Sequence, residues 1–382
     1  MGKKYQFRVL ILAIVTAGFF LSAKVAPHAD SKDHKTLAIG ASAPDFNLLG
    51  VDGRRYTLAS FKAAKILVIV FTCNHCPTAQ AYEKRIMQLA SDYKTKGVDL
   101  VAIMPNDPKS IRLDELGYTD MGDSYSEMKI RARERHFNFP YLYDGDTESA
   151  ALKYGPIATP HVFIFDRARK LRYSGRVDDV EKPTKTPNIS DARNAIEALI
   201  NNKDVPVATT KVFGCSIKWS EKSDWIKKAK AEWAAEDVTL DSIDASGLKK
   251  ILANKTDKLL LINVWATWCG PCVVEFPELV DMNRMYRRRD FEFISISADD
   301  VSKKTKAFEF LRHENASGIN YIYSGESRDK FIDAIDSQWQ GPLPYTLVVE
   351  PGGKIIYRKQ GQIDPYAVKK AIVDDPTIGR YY

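Results

Sequence analysis

Apolar and polar positions along this chain change period in an order that occurs twice. Within 40–58, apolar residues alternate with polar ones on either side of Asp52-Gly53, the pattern of two strands joined by a tight turn. Ile66–Phe71 is an unbroken β-branched and aromatic run, which predicts a central strand buried on both faces. Pro77 stands at a favoured first helical position, and Tyr82, Ile86, Leu89 and Tyr93 follow at helical spacing. Val98–Met104, His161–Phe165 and 171–174 read as further strands, the last two turning near Arg167. An insertion with a charged helix fills 105–138, and a closing helix is expected over 190–201.

The second copy opens with a helical stretch at 242–254 and the apolar strand Leu259–Trp265. A helix follows with Phe276, Leu279, Met282 and Tyr286 on one face, then the strand Phe291–Ser297 and a helix near 302–313. A hairpin turns at Pro351-Gly352-Gly353 between strands at 345–350 and 354–358, and a last helix is expected near 365–373. The repeated order predicts an α/β protein with two tandem domains, each a central mixed sheet flanked by helices. The expected boundaries are 38–201 and 240–382, with a connecting segment over 202–239 that holds Cys215 and a Trp- and Lys-rich amphipathic helix.

The first residues differ from the rest. Lys3, Lys4 and Arg8 precede an apolar run from Val9 to Leu21, the order of an export signal or an uncleaved membrane anchor over 1–23, with a polar linker over 24–37. The expected location is therefore extracytoplasmic, periplasmic in a bacterium with two membranes. Composition is that of a globular chain: 382 residues, 45% hydrophobic and 27% charged. The net charge of +7 includes three cations of the first segment and gives no ground for nucleic-acid binding. Clusters at Lys129, Arg131, Arg133 and Arg135 and at Arg287, Arg288 and Arg289 are expected to be solvated helix faces. His28, His34, His136 and His313 show no ligand spacing and are expected at the surface.

Four of the five cysteines form two tight pairs, Cys73/Cys76 and Cys269/Cys272. A bond across two residues closes little chain and stabilises little, so such pairs suit opening and closing better than stapling. Each pair follows a buried strand and precedes an amphipathic helix. A sulfur at a helix N-terminus meets unpaired N–H groups and the positive end of the dipole, which favour the thiolate. The other sulfur then lies close enough to resolve a mixed disulfide. Zinc is the competing use of such pairs, but it requires four ligands, usually from two comparable knuckles, whereas each pair here is already set between a strand and a helix.

Trp265-Ala266-Thr267-Trp268-Cys269-Gly270-Pro271-Cys272, followed by Glu275-Phe276-Pro277, resembles the thioredoxin superfamily, in the form carried by exported thiol–disulfide reductases. The resemblance implies Cys269 as nucleophile, Cys272 as resolver and Pro344 as the cis-proline facing them. Asn263 occupies the position where cytoplasmic thioredoxins carry a buried acid. Glu275 is then a candidate for proton handling, the alternative being an exposed acid of the first helical turn.

Thr72-Cys73-Asn74-His75-Cys76-Pro77-Thr78, with Ala43-Pro44-Asp45-Phe46 and Thr159-Pro160, makes 38–200 resemble the alkyl hydroperoxide reductase/thiol-specific antioxidant redoxins. Cys73 and Ile69 replace the threonine and proline of the peroxidase motif, which leaves thiol peroxidase, an antioxidant activity, as a rival reading. By the same likeness Pro160 is the second groove proline. His75 directly precedes the second cysteine, as in disulfide isomerases, and is expected to stabilise a thiolate. Segments like Gly214-Cys215-Ser216-Ile217-Lys218-Trp219 follow redoxin domains of this group; Cys215 is expected either to exchange with Cys73 or to be a packed free thiol. A third reading has Cys73, Cys76 and His161 bind copper or zinc in a copper- or haem-maturation chaperone.

The expected function is dithiol–disulfide exchange with protein partners, an exported or membrane reductant among them. Cys73 and Cys269 would attack, Cys76 and Cys272 resolve, and electrons would pass from the second pair to the first. No flavin, nicotinamide or haem motif is evident.

Overall fold

The computed structural model describes residues 34–182, 185–325 and 327–381. The expected export segment, His28 and most of the linker lie outside the described residues. No helix among the described residues is long and apolar enough to cross a membrane.

The strands of the first half are β1 (Asn47–Gly50), β2 (Arg55–Thr57), β3 (Ile66–Phe71), β4 (Val98–Met104), β5 (Tyr141–Tyr143), β6 (Ala158–Thr159), β7 (His161–Phe165) and β8 (Leu171–Gly175). After β9 (Cys215–Ser216) come β10 (Asp241–Ile243), β11 (Leu259–Trp265), β12 (Phe291–Ser297), β13 (Ile319–Tyr323), β14 (Tyr345–Val349) and β15 (Ile355–Gln360). The helices are α1 (Pro77–Lys94), α2 (Tyr125–Glu134), α3 (Ala151–Tyr154), α4 (Asp191–Ile200), α5 (Ser223–Ala234), α6 (Ala245–Leu252), α7 (Gly270–Tyr286), α8 (Lys304–His313), α9 (Arg328–Ile335) and α10 (Pro365–Asp374).

Two mixed sheets result, ordered β2-β1-β5-β4-β3-β7-β8 and β10-β13-β12-β11-β14-β15. Their centres correspond. β3 runs parallel to β4 and antiparallel to β7, and β11 runs parallel to β12 and antiparallel to β14. The duplication read from the sequence is thus a duplication of topology. β5, β10 and β13 and the small β6·β9 pair are additions to what hydrophobic patterning predicts.

Side chains alternate across each central strand. Ile66, Val68 and Val70 face a core that contains Cys73, Cys76 and α1, while Leu67 and Ile69 face the opposite layer. In β11, Leu259, Leu261 and Trp265 face a core with Cys269, Cys272 and α7. Both sulfur pairs therefore sit at the end of a buried central strand, on the face covered by the helix that follows it.

The expected solvated charge clusters hold for the exposed Lys129, Arg133, Arg135 and Arg288 and are corrected for the others. Arg131 is buried and donates from Nε to Glu83 at 2.6 Å, because α2 lays this residue against α1. Arg287 pairs with Glu236 and Arg288 with Asp114, so the second cluster ties α7 to neighbouring segments. His34 is also not a free surface residue: its ring stacks on Trp219, with centroids 3.8 Å apart.

Candidate active site

In the second half the chain leaves β11 at Trp265, turns, and enters α7 with Cys269 as N-cap. Cys269 Sγ accepts from the Cys272 N–H at 3.3 Å, and Cys269 and Cys272 are joined in a disulfide with Cα atoms 5.3 Å apart. Cys272 is buried, whereas neighbouring Trp268 is 66% exposed. Leu343, whose bond to Pro344 is cis, packs against the core holding both sulfurs. Trp268 and Leu343 belong to the lining of a groove of about 310 Å³ that also includes Tyr323, Phe331 and Trp339.

Glu275 lies one turn beyond Cys272 and is buried, so the alternative of an exposed first-turn acid is corrected. It accepts from Asn263 Nδ2 at 3.1 Å and from the Ile363 N–H at 2.9 Å. Burial raises its pKa, against those two hydrogen bonds.

The first pair has a different register relative to its helix. α1 begins at Pro77, so the N-cap is Cys76, the second cysteine, and Cys73 precedes the helix by a turn of loop. Proline favours the first helical position because its missing N–H would have no partner there. Cys76 Sγ lies 3.4 Å from the Thr159 carbonyl oxygen and receives the Cys215 N–H at 3.4 Å; Cys73 Sγ lies 3.1 Å from Thr159 Oγ1. The Thr159–Pro160 bond is cis, as is Leu343–Pro344. Cys73, Cys76 and Cys215 are free thiols.

Electrostatics separate the two sulfurs of the first pair. Burial pushes Cys73 well up, reinforced by its hydrogen bond to Cys76 and the nearby Asp123 carboxylate. Burial would raise Cys76 too, but hydrogen bonds from Cys215 and Cys73, the charge of His75 and the Ala79 N–H together hold it well below the ordinary thiol range. These opposite directions favour the thiolate on Cys76 over Cys73, the cysteine the sequence reading expects to attack.

His75 is fully enclosed, which favours the neutral ring, yet its Nδ1–H donates to Asp123 at 2.7 Å and the net shift is upward. Asp123 also receives the Asn74 and His75 backbone N–H groups at 2.8 and 3.1 Å and Asn106 Nδ2 at 2.7 Å. Burial alone would raise Asp123; these partners, His75 first, hold it below the usual carboxylate range. The two shifts have the signs of a mutually stabilising His75–Asp123 pair, and it lies buried beside Cys76.

His161 does not join the first pair. Its Nε2 pairs with Ser174 Oγ at 3.0 Å, its Nδ1 accepts from the Ile157 N–H at 3.3 Å, and burial depresses its pKa to about 3. Cys73 is instead gathered with His75 and Asp123, the one potential metal-ligand trio among the described residues, and there the hydrogen bond between His75 and Asp123 already occupies Nδ1. Asp123, Asn106 and Thr159 are functional neighbours that sequence reasoning missed. Only Thr159, adjacent to Pro160, carried a signal that could have found it.

The loop bearing Asp123 is held by the second half. Tyr286 donates to the Thr119 carbonyl at 2.8 Å, Arg289 donates to that of Gly117 at 2.8 Å and lies 3.9 Å over the Tyr118 ring, and Arg380 pairs with Asp120 at 2.6 Å. A Cβ at Gly117 would come within 2.8 Å of the Met285 carbonyl oxygen, so this approach depends on glycine.

Comparison with known proteins follows these sites. The Redoxin family model matches residues 38–196 and again 230–374. The thiol-disulfide oxidoreductase ResA of Bacillus subtilis (strain 168) is 26% identical over 113 residues, 30% of this chain and 59% of that protein. ResA of Bacillus anthracis is 27% identical over 119 residues, 31% of this chain and 64% of that protein. The chain thus spans about three fifths of the length of these curated relatives. Among solved structures, an uncharacterized conserved protein from Geobacillus kaustophilus is 38% identical (TM-score 0.43, 48% of this chain, 93% of that one). A hypothetical protein from Sinorhizobium meliloti 1021 is 31% identical (TM-score 0.43, 49% and 97%). With its model matched on both sheets, each ending a central strand at a cysteine pair, the chain belongs to the Redoxin family.

Proposed function

We propose that this protein is a thiol–disulfide oxidoreductase with two sites, one in each of two domains, 38–201 and 240–382. The observation that carries the reading is a cysteine at the N-cap of the helix after a central buried strand, with a second cysteine three residues away, found in both halves. The N-cap sulfur, as thiolate, attacks a partner's disulfide, forming a mixed disulfide and releasing one partner thiolate. The second cysteine of the pair then attacks the N-cap sulfur, releasing the other partner thiol and leaving the pair oxidised. Two electrons pass to the partner, and the two protons lost by the pair end on its thiols. The reverse sequence oxidises a dithiol.

On this reading Cys269 and Cys76 attack, Cys272 and Cys73 resolve, and Pro344 and Pro160 border the sites. His75 stabilises the Cys76 thiolate, and Glu275 accepts the proton of Cys272. The partners are proteins presenting extended segments, one of them an exported or membrane-bound reductant. The basic-then-apolar N-terminus supports placement outside the cytoplasm, where disulfides persist. Stabilising the Cys76 thiolate stabilises the reduced first pair and makes its disulfide the more oxidising, so electrons run from Cys269/Cys272 to Cys73/Cys76.

The test is insulin-disulfide reduction measured beside hydrogen peroxide consumption and copper and zinc content, in wild type and in Cys73→Ser, Cys76→Ser and Cys269→Ser. Insulin turnover that requires Cys269, without peroxide turnover or bound metal, is expected. Rapid peroxide consumption through Cys76, or stoichiometric copper lost in Cys73→Ser, would replace the reading for the first site with a peroxidase or a metal chaperone.

A further inference from the structure

The first site is closed over by the chain itself. β9 pairs antiparallel with β6, with Thr159 opposite Cys215 and Ala158 opposite Ser216. Thr159 is the residue that touches both sulfurs of the first pair, so a strand paired with it must run across them. In the proposed reaction that edge is where an extended partner segment would lie, since main-chain pairing supplies affinity whatever the sequence. Here it is filled from within. Cys73 is 3% exposed and Cys76 is fully buried.

The fit of this strand is close. Gly214 has φ +133, and a Cβ there would lie 2.1 Å from the Thr159 carbonyl oxygen. Only glycine lets the backbone lie this near β6. The strand is anchored downstream, where Lys218 N–H donates to Asn106 and Ser220 to Glu148, and where Ile217 and Trp219 are buried. Cys215 consequently stands at the position a partner's cysteine would take, its N–H on the Cys76 sulfur at 3.4 Å. Its contact is with Cys76 and not, as the sequence suggested, with Cys73.

We propose that residues 213–217 are an internal substrate of the first site: the strand closes the groove to outside partners and offers Cys215 as a second resolving thiol for Cys76. This rests on the oxidoreductase reading above and adds a route to it. When Cys76 is joined to a partner's sulfur, the Cys215 thiolate attacks Cys76, the bond to the partner breaks, and the partner leaves as a thiolate that takes up the proton Cys215 lost. The product is a Cys76–Cys215 disulfide. Cys73 can then attack Cys76 in a redox-neutral exchange that forms Cys73–Cys76 and frees Cys215. Admission of a partner to Cys76 requires the strand to leave β6.

The full-length protein, reduced and then exposed to oxidised glutathione, is digested without reduction and its linked peptides are identified by mass spectrometry. Wild type is expected to give a Cys76–Cys215 link beside Cys73–Cys76. Cys73→Ser should give the Cys76–Cys215 link as its main product, and Cys73→Ser/Cys215→Ser a stable glutathione adduct on Cys76. A stable adduct in Cys73→Ser, with Cys215 free, overturns the internal-substrate proposal alone; a Cys76 inert to glutathione in every variant removes the exchange reading of the first site as well. Gly214→Val, which the close approach cannot accommodate, should speed alkylation of Cys76 by iodoacetamide at least tenfold and abolish the link, while insulin reduction by the second pair shows that the protein is folded. An unchanged alkylation rate in that variant also overturns the proposal.

Discussion

The two cysteine pairs share a spacing and a place in the topology, but they differ in where the helix begins. In the second half α7 starts between the cysteines and caps on the first; in the first half α1 starts after both and caps on the second. Backbone N–H groups and the helix dipole act over about one turn, so a shift of three residues changes which sulfur they favour as a thiolate. The surroundings differ as well. Cys269 is buried next to Trp268, whose exposed indole lines an open groove, whereas Cys76 lies beneath β9, beside a buried His75–Asp123 pair. Equal spacing between cysteines therefore fixes neither the register of the helix that follows nor the surroundings of the sulfurs.

The largest effect that would break this comparison is in the order of attack. Cys76→Ser and Cys269→Ser should each reduce exchange at their own site by about a hundredfold or more, since the attacking thiolate is lost. Cys73→Ser and Cys272→Ser should instead retain the N-cap thiolate; Cys272→Ser is expected to accumulate mixed disulfides with partners on Cys269, seen on non-reducing gels. Partners trapped on Cys73 in a Cys76→Ser protein would show that both pairs attack with their first cysteine.

Next in size is the difference in potential. If the first pair behaves as isomerase-type sites do and the second as thioredoxin does, they differ by about 90 mV, equivalent to roughly 4 kcal/mol for two electrons. Equilibration of each pair with glutathione, the other pair being replaced by serine, measures this. A first pair more reducing than the second would reverse the proposed electron flow.

Asp123→Asn sharpens the electrostatic part. Without the carboxylate, burial of His75 should prevail, the ring should lose its proton near neutrality, and Cys76 should lose a neighbouring cation. Each unit by which its pKa rises reduces the thiolate fraction in mildly acidic solution about tenfold, read as thiolate absorbance at 240 nm across a pH titration. Stability changes follow the signs of the shifts. The raised His75 contributes fully below about pH 6.5 and loses its contribution as pH rises through the folded value. The depressed Asp123 contributes above about pH 3.9 and loses it as pH falls through the folded value. The wild-type advantage over Asp123→Asn in urea should thus be greatest between about pH 4 and 6.5, and a difference that grows above pH 8 would contradict the assigned pair.

The smallest effect concerns Glu275. Glu275→Gln should slow insulin reduction by roughly severalfold, below the about hundredfold that a proton-transfer group typically contributes, and should leave Cys76 thiolate absorbance unchanged. A pH–rate profile identical to wild type would reduce Glu275 to a packing role.

Much of this was legible in the chain. An unbroken apolar run marked β3, largely apolar runs marked β4 and β11, alternation marked β12, and helical spacing marked α1 and α7, because these elements are buried on faces with a clear period. β13 escaped, since Ile319–Tyr323 places Asn320 and two tyrosines in a half-buried strand. β6 and β9 are two residues each, too short for any period, and they meet only through tertiary contact. Both cysteine pairs were visible, but applying one rule to both overlooked the register of the first, where Pro77 already marks a helix that starts after Cys76. Asp123 and Cys215 reach the first site from 47 and 139 residues beyond Cys76, distances over which spacing carries no information.

The grip of the second half on the loop 117–123 has a practical consequence for anyone dividing the protein. A fragment ending near residue 201 would keep Cys73, Cys76 and Asp123, yet it would lose the tyrosine under Thr119, the guanidinium over Tyr118 and the counter-charge of Asp120. Ile111 and Leu116, buried in the core shared with α7, would be exposed to water. Redox constants measured on such a fragment would describe a histidine whose carboxylate had lost its outer support, so the first site is properly characterised only in the intact chain.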